Sequence, residues 1–212
     1  MEALKLAREA PDSVGLPIMV HIGGTTSRLP DILSMLKKGD IVTHCYRGGD
    51  GGILDNKGRI MGPARRAGER GILFDVGHGV GSFSFDVAEK AMQQDFYPGT
   101  ISSDLHHLNV ARPVFDLATT LSKFMLLGMS LEQVIERAST NAARALDFPQ
   151  ALGTLREGAE ADVAIFELRE GRFDFLDSEQ QKRTCKLKLF PAATVKSGQI
   201  YGGPTALVPS HD

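Results

Sequence analysis

The chain has 212 residues, of which 42% are apolar and 24% are charged, and this composition excludes a disordered or fibrous protein. Lys and Arg number 24 against 26 Asp and Glu, so the net charge is −2 and the charges are interspersed. This pattern provides no basic surface for nucleic acid or for an anionic membrane. Small molecules are therefore the expected binding partners.

Cysteine content and the absence of long apolar runs predict the compartment. The 2 cysteines, Cys45 and Cys185, are far apart and form no C-x-x-C pair, which is typical of a reducing compartment rather than of a disulfide framework. No apolar run approaches the roughly 18 residues that a membrane span needs. Residues 1–10 also lack the apolar core of a signal peptide. We therefore expect a cytoplasmic protein.

Short β-rich runs alternate with helical patterns over the first two thirds of the chain. An opening helical segment is expected to stop at Pro11. The predicted strands that follow are residues 16–22, 40–45, 71–76 and 100–104. The predicted helices are residues 29–38, 62–69, 85–94, 113–127 and 131–146, the last with a capping box of Ser130 and Gln133. This order indicates βαβ units with parallel strands.

Two α/β architectures fit such an order, an open doubly wound sheet and a (β/α)₈ barrel. Four βα units cannot close a barrel, so periodicity alone favours the open sheet. The chemistry of the residues at the strand ends favours the barrel.

The character of the sequence changes after Leu146. Residues 153–168 end in an alternating strand, residues 169–183 are a charged segment expected to be a loop, and residues 186–189 alternate like a half-exposed antiparallel strand. Residues 196–199 predict a tight hairpin turn. We therefore divide the chain into an α/β domain at 1–150, a small β-structure at 151–205 and a tail at 206–212.

Each predicted strand is followed or ended by a residue that can bind a metal ion: His21, His44, His78 and Asp104. A histidine beside an apolar run is usually a satisfied core residue, but four such residues in register at strand ends favour a shared site. Neutral imidazoles and a carboxylate suit Zn²⁺ or a related divalent ion, which lowers the pKa of a bound water to about 7. Asp104 is the candidate to take the proton of that water and pass it to the leaving group.

Three other features near the strand ends each have two interpretations. Arg47 is either a ligand for a substrate carboxylate or a solvated loop arginine. The glycine-rich segment 23–25 precedes a helix but matches no phosphate-binding motif, so an anion site there is only weakly supported. Cys45, beside His44, is better explained as a small buried residue than as a ligand or nucleophile.

Five segments together resemble the C-terminal part of the amidohydrolase superfamily, and in particular its dihydroorotase-like amidohydrolase/deacetylase branch. They are V-H-I-G (20–23), V-T-H-C (42–45), I-S-S-D-L-H (101–106), S-T-N-A-A-R-A-L (139–146) and G-T-L-R-E-G-A-E-A-D-V-A-I-F (153–166). The resemblance implies the C-terminal half of a (β/α)₈ TIM barrel followed by a small β-sandwich segment.

The resemblance also implies a site with one or two divalent metal ions, most often zinc. In the family pattern His21 and His44 are metal ligands, and Asp104 is both a metal ligand and the general base. His78 has no ligand role in that pattern, and we assign it, together with Arg47, to substrate binding.

The sequence departs from the family pattern in its missing ligands. It contains no His-x-His motif and no lysine in the position that follows the fourth barrel strand. The expectation is therefore a C-terminal fragment, for which two functions compete. The first is a metal-dependent amidohydrolase or deacetylase that hydrolyses an amide or ester of a small molecule through metal-activated water.

The alternative function is that of a catalytically incomplete fragment or assembly module. Half a barrel exposes two sheet edges and an apolar face, so it would pair with a missing N-terminal half or with copies of itself. An open-sheet protein that binds phosphate ligands at residues 23–25 is a third and weaker hypothesis.

Overall fold

The computed structural model describes residues 2–148 and 152–201. The expected tail at 206–212 lies outside these residues. The helices, in chain order, are α1 (Glu2–Val14), α2 (Leu29–Ser34), α3 (Gly62–Glu69), α4 (Phe85–Met92), α5 (Leu117–Leu126), α6 (Leu131–Ala138) and α7 (Thr140–Ala145). The strands are β1 (Met19–His21), β2 (Ile41–Thr43), β3 (Leu73–Phe74), β4 (Val163–Leu176), β5 (Lys182–Lys196) and β6 (Gln199–Tyr201).

The first three strands form a parallel sheet in the order β1-β2-β3. The fourth predicted strand, 100–104, enters only as a parallel bridge between Thr100 and Asp75. Its backbone nevertheless continues beside the segment after β3, where the His78 amide donates to the Ser102 carbonyl at 3.1 Å. The predicted parallel βαβ order is confirmed as a mixed α/β fold. The strands are shorter than the apolar runs that predicted them.

Helices pack on the sheet through narrow apolar stripes. Helix α4 buries Phe85, Ala88, Ala91 and Met92, whose spacing of three to four residues places them on one side of the helix. The predicted capping box at the start of α6 is confirmed, since the Ser130 and Gln133 side chains each accept a hydrogen bond from the other's backbone amide. Each large apolar side chain buried in this core contributes about 1.5–3 kcal/mol.

Helix α1 continues through Pro11 to Val14, so the stop predicted at Pro11 is wrong. A proline inside a helix removes one amide donor and crowds the carbonyl of the preceding turn, so the helix needs contacts elsewhere to persist. Here Arg8 pairs with Asp12 and with the buried carboxylate of Asp40, which ties the helix to the amino ends of the strands. The helix buries no residue, so this ion pairing is its main attachment.

The single helix predicted at residues 131–146 is two helices. Ser139 separates α6 from α7 with backbone angles φ −125° and ψ −83°, which lie outside the helical region. The Asn141 side chain then donates to the Gly99 carbonyl at 3.1 Å. The break therefore turns α7 toward the start of segment 100–104.

The C-terminal part is an antiparallel sheet in the order β4-β5-β6. The loop predicted at residues 169–183 is wrong, because all but residues 177–181 belong to strands β4 and β5. Some charged residues of this ribbon pair within it, as Asp174 does with Lys182 at 2.6 Å, and Arg183 pairs with Asp86 and Glu89 of α4. The predicted hairpin turn is confirmed, with Ser197 and Gly198 at φ 50° and 78°, as a two-residue turn of this kind requires.

The turn between β4 and β5 binds the α/β part through Asp177. One oxygen of this buried carboxylate accepts the Phe85 amide at 2.9 Å, and the other accepts the amides of Glu179 and Gln181 at 2.8 Å. Asp177 thereby satisfies a free amide at the start of α4. In residues 2–148 and 152–201, no helix combines the length and the apolar content needed to cross a membrane.

Candidate functional site

The carboxyl ends of β1 to β3 and segment 100–104 surround a cleft of about 580 Å³. Its polar lining includes His21, Thr43, His44, Asp75, Ser102 and Asp104. Its apolar wall includes Met19, Ile41, Leu117, Ala138 and Leu146. Polar groups are therefore concentrated at the strand ends, where the sequence predicted a site.

His21 and His44 meet in this cleft. His21 Nδ1 lies 2.8 Å from His44 Nε2, and the two rings are nearly perpendicular, with centroids 4.2 Å apart. Strands β1 and β2 are adjacent and parallel, so residues that end them are neighbours at one edge of the sheet. His44 is 4% exposed, whereas His21 lies on the exposed edge strand.

The tautomer of His44 is set by its other ring nitrogen. His44 Nδ1 lies 2.6 Å from the Gly77 carbonyl oxygen. A carbonyl oxygen only accepts, so Nδ1 carries the proton and Nε2 presents its lone pair to the cleft. Gly77 permits this contact, because it has φ +46° and a Cβ atom there would lie 2.7 Å from His44 Nδ1.

Electrostatics keep His21 neutral. Burial lowers the pKa of His21, and the neighbouring His44 and Arg47 lower it further, while Asp104 acts in the opposite direction. A neutral imidazole is the form that binds a metal ion. The lowered pKa of His21 thus favours the form of this ring that can bind a metal ion.

The geometry of the pair suits two ligands of a divalent ion. Two imidazole nitrogens bound to a tetrahedral zinc at about 2.0–2.1 Å would lie about 3.3 Å apart, so the observed 2.8 Å requires only a small opening of the pair. Across the described residues, however, no three His, Cys, Asp or Glu side chains lie close enough to hold a metal together. The structure therefore brings together two of the predicted ligands.

Asp104 lines the same cleft but does not complete the predicted set of three ligands. Its backbone is left-handed, with φ 48°, and its carbonyl accepts the Asn109 side-chain amide at 2.8 Å. The carboxylate is exposed and lies against Gly79, where a Cβ atom would be 2.7 Å from Oδ2. Its influence on the pKa of His21 shows that it remains within electrostatic reach of the pair. Its role as general base stays a prediction.

Arg47 lies beside the histidine pair. Its guanidinium packs against Gly23, close to where a Cβ atom of that residue would be, and Nη1 donates to the Asp50 carbonyl. Its positive charge contributes to the lowered pKa of His21. Arg47 is not among the residues that line the cleft, and its predicted role in substrate binding stays a prediction.

His78 occupies a different environment from the other strand-end histidines. The ring is fully buried and stacks on Phe83, with centroids 4.6 Å apart. Nδ1 lies 2.9 Å from the Gly79 carbonyl, and Nε2 lies 2.7 Å from Lys123 Nζ. Burial and the charge of Lys123 lower the pKa of His78 to about 3. The ring has no exposed surface, so the structure does not bring it to the cleft, and its role in substrate binding is untested.

Lys123 was not singled out from the sequence. Nζ contacts three acceptors at 2.7–2.8 Å: His78 Nε2, the Pro113 carbonyl and the Leu176 carbonyl. Burial lowers the pKa of this fully buried lysine to about 7. Its position inside the otherwise apolar or small-residue helix α5 is the sequence signal that could have identified it.

Asp75 was also missed, although it follows the apolar run of β3. Its carboxylate is 2% exposed and accepts three hydroxyl groups, from Thr43, Thr100 and Ser102, each at 2.7 Å. Cys45, in contrast, is confirmed as a buried residue, and burial raises the pKa of its thiol well above the usual range.

Comparisons with known proteins agree on one family. Residues 84–202 match the amidohydrolase family. A protein of Enterococcus faecalis named deacetylase is 37% identical over 201 residues, which cover 93% of this chain and 54% of that protein. The chain thus spans about half the length of this curated relative.

Solved structures give the same coverage. A crystal structure of an adenine deaminase superimposes with a TM-score of 0.90 at 36% identity, over 94% of this chain and 55% of the other. A crystal structure of a dihydroorotase superimposes with a TM-score of 0.82 at 31% identity, over 96% of this chain and 54% of the other. Half of each of these proteins therefore has the fold described above.

Proposed function

Because the chain belongs to the amidohydrolase family, we propose that it provides His21 and His44 to a divalent-metal site that hydrolyses an amide bond, or an ester bond, of a small molecule. The observation that carries this proposal is the approach of His21 Nδ1 to His44 Nε2 at 2.8 Å, at the carboxyl ends of two adjacent parallel strands. Two neutral imidazoles held this way favour a metal site over a packed core.

The proposed architecture is the C-terminal half of a (β/α)₈ barrel with a β-sandwich segment. The parallel order β1-β2-β3, continued by the bridge from Asp75 to Thr100, supports the half-barrel. The antiparallel sheet β4-β5-β6 supports the sandwich segment. Active sites of such barrels lie at the carboxyl ends of the strands, which is where the histidine pair lies.

The chemistry divides between the metal and the side chains around it. The ion, for which zinc is our proposal, would supply Lewis acidity and lower the pKa of a nearby water. His21 and His44 would hold it through neutral nitrogens. Asp104, exposed at the same cleft, would take a proton from water and give it to the leaving group. Arg47 would pair with an anionic group of the substrate.

We propose that the substrates are acetylated small molecules, which would make the reaction that of a deacetylase. The relative from Enterococcus faecalis that carries this name is 37% identical. The cleft offers a mostly apolar wall beside the polar strand ends, which suits a small acyl group better than a highly charged substrate.

Metal content tests the site. Purified chain incubated with zinc and desalted is expected to retain about one zinc per chain by elemental analysis, and His21→Ala and His44→Ala to lose it. His107→Ala, which removes an exposed histidine outside the cleft lining, is the matched control and should retain the metal. Equal zinc content in all variants would overturn the metal site, and none in the wild type would overturn a site formed by this chain alone.

Activity tests the reaction. Hydrolysis of a panel of N-acetyl and O-acetyl compounds by zinc-loaded protein is expected to depend on Asp104, with Asp104→Asn losing at least 100-fold in kcat. Zinc retention by that variant would separate a lost proton carrier from a lost ligand. Hydrolysis that is unaffected by Asp104→Asn would contradict the assigned role.

A second candidate function is that of a half-site completed by another polypeptide. It is favoured by the edge position of β1, by the two-histidine set and by coverage of only 54% of the relative from Enterococcus faecalis. Strand β1 leaves one side unpaired among the described residues, which exposes His21 and Met19. A partner carrying the remaining strands would cover this edge and add ligands.

Coexpression distinguishes the two candidates. The part of the Enterococcus faecalis relative that this chain does not match would be produced with and without this chain, and the native mass and hydrolysis of N-acetyl compounds measured. Activity and a 1:1 complex only in the mixture would support the completed half-site. Full activity of this chain alone, as a monomer, would exclude it.

A further inference from the structure

We propose that Asp75 is a positioning residue of the cleft, which fixes the orientation and tautomer of His44 through Ser102 and Gly77; the inference rests on the function proposed above. Asp75 touches neither histidine. It acts through hydrogen bonds that hold the peptide against which His44 is oriented.

The first step is that three hydroxyl groups donate hydrogen bonds to the buried Asp75 carboxylate. Thr43 and Ser102 donate to Oδ2 and Thr100 donates to Oδ1, each at 2.7 Å. Burying a carboxylate is costly unless its oxygens are satisfied, so these hydroxyl protons are committed to Asp75. The direction of each hydroxyl group is thereby fixed.

The second step leads from Ser102 to Gly77. Because the Ser102 hydroxyl donates its proton to Asp75, its oxygen is free to accept, and the Gly77 amide donates to it at 3.2 Å. The Ser102 carbonyl accepts the His78 amide at 3.1 Å. Ser102 therefore holds the peptide groups on both sides of the Gly77 Cα atom.

The third step leads from Gly77 to His44. The peptide bond between Gly77 and His78 joins the His78 amide to the Gly77 carbonyl. This carbonyl accepts from His44 Nδ1 at 2.6 Å. Thr43, which precedes His44, is held by the same Asp75 carboxylate. The Nδ1 proton is thus fixed, and the Nε2 lone pair points at His21.

The alternative is that Asp75 only stabilises the sheet. Thr100 and Ser102 separate these two roles, because each donates one hydroxyl proton to Asp75 at 2.7 Å but only the Ser102 side chain also contacts Gly77. A purely structural carboxylate would respond alike to the loss of either hydroxyl group. A positioning residue would respond to the loss of Ser102 alone.

The experiment compares Ser102→Ala with Thr100→Val in the full chain, with Asp75→Asn as a third variant and Ser102→Thr as the conservative variant that keeps the hydroxyl group. The first readout is the ¹⁵N chemical shifts of the His44 ring in zinc-free protein at pH 8, assigned by their loss in His44→Gln. These shifts report which ring nitrogen carries the proton. The second readout is the Kd for zinc.

Wild type, Thr100→Val and Ser102→Thr are expected to keep His44 protonated on Nδ1. Ser102→Ala and Asp75→Asn are expected to show a mixture of tautomers and a zinc Kd raised about 10-fold or more. An unchanged tautomer and Kd in Ser102→Ala, or equal changes in Ser102→Ala and Thr100→Val, would overturn the inference. If Asp75→Asn does not fold, an unchanged tautomer in Ser102→Ala still overturns the inference.

The outcome also distinguishes this inference from the proposed function. A wild type that binds no zinc overturns a metal site formed by this chain alone. The tautomer readout does not require metal, so a change confined to Ser102→Ala would then still establish that the Asp75 network orients His44, and no change would refute it.

Discussion

Two histidines that follow neighbouring parallel strands have opposite environments. His44, after β2, has one ring nitrogen fixed by the Gly77 carbonyl and the other aimed at His21 in an open cleft. His78, after β3, is fully buried and has both nitrogens in contact with protein groups, one of them Lys123 Nζ. The first ring faces a second imidazole, which can itself bind a ligand, whereas the second ring faces the Lys123 ammonium, which cannot.

The difference shows that position at a strand end does not by itself give a histidine a function. What matters is which group the surrounding elements place against the second ring nitrogen. At His44 the neighbour is an edge strand, which exposes the cleft. At His78 the neighbour is helix α5, which contributes Lys123 and closes the space. The predictions below test this contrast, beginning with the largest effect.

Removal of the Lys123 ammonium should give the largest loss of stability, at the buried contact between Lys123 and His78. Lys123→Met leaves His78 Nε2 and the carbonyls of Pro113 and Leu176 without their donor, so the free energy of unfolding should fall by about 3 kcal/mol. Urea denaturation at pH 7.5 measures it. Lys186→Met, at an exposed position of β5, is the control and should change stability by less than about 0.5 kcal/mol. Similar values for both variants would refute a structural role for Lys123.

Acidification should lower the free energy of unfolding through the buried ring of His78. Its pKa in the folded protein is about 3, below the value of 6.5 expected when unfolded, so between these pH values the unfolded chain binds one more proton. Stability therefore falls as pH falls, with a contribution from His78 of about 1.4 kcal/mol per pH unit, or about 2 kcal/mol between pH 6 and 4.5. His78→Gln should lose this part of the pH dependence and the exposed-site control His107→Gln should keep it, as measured by urea denaturation at several pH values. Parallel pH profiles for all three proteins would contradict the assignment.

A methyl group on Gly77 should disturb the contact between Gly77 and the His44 ring. Gly77→Ala combines a backbone with φ +46° with a Cβ atom that contacts Thr43 Oγ1 and lies 2.7 Å from His44 Nδ1. Gly24→Ala has a similar backbone, with φ +63°, but nothing within 4 Å of the new Cβ atom. Gly77→Ala should therefore destabilise the protein by about 1.5 kcal/mol more than Gly24→Ala, by urea denaturation, and only Gly77→Ala should weaken zinc binding. Equal effects would mean that backbone strain alone is responsible.

Loss of the His21 ring should have the smallest effect on stability. His21 is exposed on an edge strand, so in the presence of a chelator His21→Ala should change the free energy of unfolding by less than about 0.5 kcal/mol. His78→Ala, by contrast, should cost about 2 kcal/mol because it removes a buried ring and one of the three acceptors of Lys123. Thermal or urea unfolding of the two variants measures the contrast. A large loss in His21→Ala would show that this ring is structural.

The order of elements and the meeting of two strand-end histidines were predictable from sequence. Apolar runs of strand length separated by helical patterns require parallel strands, and adjacent parallel strands bring His21 and His44 to one edge. The hairpin turn at Ser197 and Gly198 was predictable for a similar reason, since few residues adopt its backbone angles. In each case the signal is local along the chain.

Errors arose where contacts distant in sequence decide the structure. The charged segment 169–183 nevertheless forms strands, because residues 169–176 pair with β5 across the sheet. Helix α1 passes Pro11 because Arg8 reaches the buried carboxylate of Asp40. Neither partner can be identified from the local pattern.

By itself, the sequence determined the alternation of strands and helices, the turn residues and the candidate ligands at the strand ends, since these depend on periodicity and backbone preference. Only the tertiary structure decided which candidates are usable. It placed Asp75 among three hydroxyl groups, closed His78 against Lys123 and left the nitrogens of His21 and His44 facing each other. The reason is physical: the protonation state and availability of a side chain depend on burial and on partners that the fold brings from elsewhere in the chain.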